Sequence, residues 1–115
     1  MKLYILCGQE PVPCDDLIEW ARWFEASIHV RAVAKTTVGD ARVSTVFLGL
    51  DHRFDAGPPL LFETLVFDGP LDGEMDRYST WAEAQCGHDA MVARVTRRQR
   101  PAMPDAEREA AKEKP

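Results

Sequence analysis

Long apolar runs are missing from this chain of 115 residues; the longest is the five of Leu3–Cys7, whereas a helix needs about 20 apolar residues to cross a bilayer. A membrane-spanning helix is therefore not expected. Cysteine is scarce as well: Cys7, Cys14 and Cys86 cannot all pair within one molecule, and none stands in a Cys-x-x-Cys motif. Neither a disulfide framework nor a dithiol redox centre follows. The N-terminal Met1-Lys2-Leu3-Tyr4-Ile5-Leu6 meets polar Gln9-Glu10 with no small-residue cleavage pattern. It reads as mature chain in a reducing cytoplasm. Also lacking are a phosphate-cradling glycine loop, a Gly-x-Ser-x-Gly elbow and paired histidines at helical spacing. Finally, positive charge is not in excess. Fourteen Lys and Arg against 19 Asp and Glu leave a net −5, which argues against a general nucleic-acid binder.

What is present suits one small domain, long enough to bury a core without staples or a metal. Leu3–Leu6 reads as a short strand closed by Gly8 and Pro11. Asp16 followed by Glu19 has capping-box spacing, so a first helix should start near Leu17, with Leu17, Trp20, Ala21 and Phe24 forming its apolar stripe. From Ile28 the period becomes two through Ala34, and Arg42–Leu50 is rich in β-branched and aromatic residues. The two runs should pair as a hairpin, with Leu60–Phe67 as the next strand of a meander and a short strand within Gly73–Tyr78. A second capping box, Thr80 with Glu83, opens a helix whose Trp81, Ala84, His88, Met91, Val92 and Val95 share one face.

These signals predict an α+β domain over residues 1–96: an antiparallel sheet of about four strands with two helices packed on one face. Residues 97–115 should form a flexible charged tail, because Asp105–Pro115 holds no large apolar side chain to offset the cost of ordering. Arg94, Arg97, Arg98 and Arg100 suit the negative end of the second helix. Residues 51–76 hold seven acids against the single base Arg53.

Four residues are candidates for chemistry: Asp51, His52, Glu63 and His88. A histidine beside carboxylates can serve as a general base or a metal ligand. The blander alternative makes Asp51 and Asp55 turn residues that bond their own backbone, with His52 an exposed loop side chain. Glu63 shares a strand face with Leu61, Leu65 and Phe67, so it is either a carboxyl desolvated for proton transfer or half of a structural ion pair. The favoured role is structural, either that ion pair or a solubilising residue on an exposed edge. His88 lies on an apolar helix face, where a core histidine hydrogen-bonded to the sheet is the favoured role. Cys86-Gly87-His88 lacks the ligand spacing of a zinc site. No cofactor and no metal is implied.

The stretch Arg42-Val43-Ser44-Thr45-Val46-Phe47-Leu48-Gly49-Leu50-Asp51-His52-Arg53-Phe54, followed by Gly57–Phe67, by Arg77–Ala84 and by Gly87-His88, resembles a family of small uncharacterised proteins of bacteriophages, prophages and bacterial genomes. The resemblance spans roughly residues 17–95. It implies a phage-borne accessory protein in a bacterial cytoplasm, acting by binding a host protein or complex and inhibiting host defence. The alternative is a small metal-dependent or acid/base enzyme built on Asp51, His52, Glu63 and His88. A homodimer through an open sheet edge is a third arrangement.

Overall fold

The computed structural model describes residues 2–99. Its elements in chain order are β1 (Tyr4–Cys7), β2 (Glu10–Pro13), α1 (Leu17–Ala26), β3 (Ala32–Val38), β4 (Ala41–Phe47), β5 (Phe62–Phe67), β6 (Met75–Tyr78) and α2 (Trp81–Gln99). The class is α+β. Strands β3-β4-β5-β6 form a four-stranded antiparallel meander in sequence order, and β1-β2 form a separate two-stranded sheet. The hairpin between β3 and β4 closes on Gly39 and Asp40. Gly39 has φ 57° while Asp40 does not take a positive φ, the pattern of a two-residue type II′ loop with glycine first.

Each strand of the meander alternates, so the register sorts side chains between two faces. Opposed pairs Val43↔Val66, Thr45↔Thr64 and Phe47↔Phe62 point one way, and these six side chains are buried. Helix α2 covers that face, touching all four strands. Its Ala84, His88, Met91 and Val95 are buried, as the helical period predicts. The helix starts on a complete capping box: Thr80 N–H donates to Glu83 Oε1 at 3.1 Å, and Glu83 N–H donates to Thr80 Oγ1 at 3.1 Å.

Helix α1 buries far less. Asp16 caps it, Oδ1 accepting from the N–H groups of Ile18 and Glu19 at 2.9 and 3.0 Å. It packs against β1 and reaches the core through Trp23, whose ring meets Phe47 edge to face at 5.9 Å. No α1 residue is fully buried. Leu17, expected on the inner stripe, is 64% exposed, whereas Trp20, one turn on, reaches inward, its Nε1–H donating to Tyr4 O and Gly49 O.

Three other expectations change. Strand β3 begins at Ala32 and not at Ile28: Arg31 N–H closes a turn on Ser27 O at 3.0 Å, leaving Ile28 and Val30 exposed. The Arg31 side chain locks this turn by donating to Ser27 Oγ and Phe24 O, with its guanidinium over the Phe24 ring. Strand β2 was hidden by Pro11 and Pro13, which an edge strand tolerates because its outer N–H groups have no ladder partner to lose. Helix α2 runs to Gln99, so the ordered domain extends past residue 96; the expected tail beyond Gln99 lies outside the described residues.

Candidate functional site

The four residues singled out from the sequence are not brought together. Asp51 is a turn organiser: its Oδ1 accepts from the N–H groups of Arg53 and Leu60 at 2.9 and 3.0 Å, pinning both ends of the loop that joins β4 to β5. These backbone donors, the Arg53 bond foremost, hold the Asp51 carboxyl below the usual carboxylate range. His52 belongs to the same loop and bonds through its backbone N–H to Leu60 O at 3.0 Å. Glu63 opposes Arg77 in register and accepts from Arg77 Nε at 3.1 Å. It is half of an ion pair on the sheet face that α2 does not cover. His88 lies beneath α2 on the other face, so the sheet itself separates it from Glu63. No group of three or more potential metal ligands gathers among the described residues.

His88 instead organises a polar row through the core. Its Nε2 is 2.8 Å from Thr36 Oγ1 on β3, its Nδ1 is 2.7 Å from Thr45 Oγ1 on β4, and Thr45 Oγ1 is 2.6 Å from Thr64 Oγ1 on β5. Either neutral tautomer completes the row: the imidazole donates to one threonine and accepts from the other, and the hydroxyls rotate to suit. Burial lowers the His88 pKa below its ordinary value, against a smaller upward pull from Asp89. The neutral ring is the ground state at neutral pH.

The row divides the core into two apolar clusters. On one side lie Ala41, Val43, Val66, Leu71, Met91 and Val95; on the other lie Leu6, Phe47, Leu61, Phe62 and Ala84. A slip of one residue in strand or helix would leave a buried hydroxyl or imidazole nitrogen without a partner, so the row opposes alternative registers. Tyr78 borders it from β6. Its ring presses so closely on Gly87 that a Cβ there would collide with it. Burial raises the Tyr78 pKa, and Thr64 opposes that rise without giving Tyr78 Oη a full hydrogen bond.

The second face of the meander has a different character. Three cross-strand rows follow from the register: Thr37–Arg42–Phe67, Lys35–Ser44–Leu65–Met75 and Val46–Glu63–Arg77. No named helix or strand among the described residues packs on them. Arg42 lies over the Phe67 ring at 4.7 Å, and Met75 is 44% exposed. Sequence reasoning missed both assemblies for different reasons. Threonines in strands carry no periodic signal that marks Thr36, Thr45 and Thr64 as one network. The second face did leave a trace: β5, Phe62-Glu63-Thr64-Leu65-Val66-Phe67, is apolar on both of its sides, a pattern of strands covered on both faces.

Comparison of the chain with protein-family models, with curated protein sequences and with solved structures gives no match.

Proposed function

We propose that this chain is a small accessory protein of the phage and prophage kind that its motifs resemble, acting in a bacterial cytoplasm by binding a protein or complex of the host, with inhibition of host defence as the outcome. The observation that supports binding is the second face of the meander. An antiparallel sheet with one wet face ordinarily presents polar side chains there. Here Val46, Leu65, Phe67 and Met75 stand among Lys35, Arg42, Glu63 and Arg77, while α2 covers the opposite face. Apolar groups set among charged ones on a firm sheet are what a protein interface uses: a partly apolar centre with a polar rim.

The alternative, an acid/base or metal-dependent enzyme, draws less support from the geometry. Glu63 is engaged by Arg77, Asp51 by two backbone N–H groups, and both nitrogens of His88 by threonines. A shared reacting centre would need these groups within hydrogen-bond reach of one another or of one substrate.

Affinity purification of the tagged full chain from a bacterial host tests the proposal, followed by phage challenge of cells expressing it. The expected result is one host protein recovered in stoichiometric amount, together with higher plating of phage on a defended strain. Recovery of no stoichiometric partner overturns the reading.

A further inference from the structure

The geometry points to the occupant of the second sheet face: an extended protein segment carrying two carboxylates two residues apart, with apolar side chains beside them. This inference rests on the binding role proposed above and adds the partner's chemistry. It starts from charge. The chain as a whole is −5, yet the three rows of this face hold three cations, Lys35, Arg42 and Arg77, and one carboxylate, Glu63. Glu63 and Arg77 satisfy each other at 3.1 Å. Lys35 and Arg42 are left exposed, with no carboxylate within salt-bridge distance among the described residues. The face is thus a cationic patch on an acidic molecule, and it selects acidic partners.

Spacing narrows the choice. Lys35 opposes Ser44, and Arg42 lies two residues from Ser44 on the same strand, so Lys35 and Arg42 are diagonal neighbours about 7–8 Å apart. Side chains two residues apart on an extended segment stand about 6.6–6.8 Å apart on one side. An acid-x-acid pair therefore matches the two cations, one carboxylate to each. The Arg42 guanidinium lies over Phe67, which orients a planar fork suited to carboxylate oxygens. Beside the cations, Leu65 and Met75 continue the Lys35 row as an apolar strip, the natural seat for a neighbouring leucine, valine or phenylalanine. A single-stranded nucleic acid fits less well: it needs open aromatic platforms for its bases, and the one aromatic ring in these rows, Phe67, is already covered by Arg42.

The test is a titration of the isotopically labelled full chain, followed by amide NMR, with three probes: a decapeptide alternating Glu and Leu, its counterpart with Lys for Glu, and oligothymidylate. The expected result is that the Glu peptide alone shifts amides clustered at Lys35, Arg42, Leu65 and Met75, and that added salt weakens it. Affinity should fall about tenfold or more in Lys35→Glu/Arg42→Glu, with the melting temperature unchanged. Arg98→Glu, a single charge reversal on exposed α2, should leave affinity near wild type. Shifts located elsewhere, equal binding of the Lys peptide, an equal loss in Arg98→Glu, or binding of oligothymidylate at this face would each overturn the inference. So would no binding of the Glu peptide, and in that case host-protein recovery still decides the binding role by itself.

Discussion

The two helices of this domain both start on a cap and both carry an apolar stripe, yet they bury very different amounts of it. Helix α1 has a capped start and a run of Leu, Ile, Trp and Phe, yet none of its residues is fully buried. Helix α2 carries Cys86, Gly87, His88 and Asp89 in its middle, which makes its apolar face discontinuous, yet it buries four side chains and crosses every strand of the meander. The difference lies in what each helix meets. A four-stranded sheet meets α2 with every one of its strands, and even a histidine finds partners on it. Helix α1 meets only the short strand β1 and the margin of the core, where Trp20, Trp23 and Phe24 are half-buried. An amphipathic stripe records which side of a helix turns inward; it does not record how much surface waits there.

The largest effect that could break this contrast is Met91→Ala. Met91 is 1% exposed within its cluster, so the truncation should destabilise the chain by about 2–5 kcal/mol in denaturant unfolding. A wild-type midpoint would show α2 lying loosely on the sheet. Next comes Gly87→Ala. In an ordinary helix interior that change gains up to about 1 kcal/mol, but here the new methyl meets the Tyr78 ring, and the expected result is a loss of about 1–3 kcal/mol. Stabilisation by Gly87→Ala would mean the ring moves freely.

His88 predicts a pH dependence whose sign follows from its depressed pKa. The unfolded chain takes up a proton near the ordinary value of 6.5 while the folded chain resists it. Stability is therefore complete above about pH 6.5 and falls as the pH drops below it, down to the folded-state pKa. The slope from this one group is at most about 1.4 kcal/mol per pH unit. Urea midpoints of the wild type and of His88→Gln at pH 7.5 and 5.5 check it: the wild type should lose more between the two. Equal losses would remove His88 as the cause.

On α1 the expected effects are smaller. Asp16→Ala removes the acceptor for two backbone N–H groups and should cost about 1 kcal/mol. Leu17→Ser and Ile18→Ser, at positions 64% and 66% exposed, should each lie within about 0.5 kcal/mol of wild type. A loss of 2 kcal/mol or more at either position, well beyond the surface norm, would show α1 to be buried in solution and would erase the contrast between the helices.

Much of the architecture was legible. Both helix starts, the hairpin and the meander order follow from capping residues, a switch of period and turn residues, all of them local properties of the backbone. Structural roles for Glu63 and His88 were also favoured on sequence grounds, and Arg77, Thr36 and Thr45 are the partners that fill them. Strand β2 and the start of β3 escaped because prolines on an edge strand look like a break, and because the alternation of Ile28 and Val30 runs through a turn that the Arg31 side chain closes.

By itself, then, the order of residues determined the local elements and the two faces of each strand, since φ/ψ preference, capping and the period of two act between near neighbours. Tertiary structure alone decided that His88, Thr36, Thr45 and Thr64 form one row from four elements, that Glu63 and His88 are divided by the sheet, and that Lys35 and Arg42 stand beside Leu65 on an uncovered face. Each of these depends on register between segments distant in the chain, and register is set by packing and hydrogen bonding across the whole sheet.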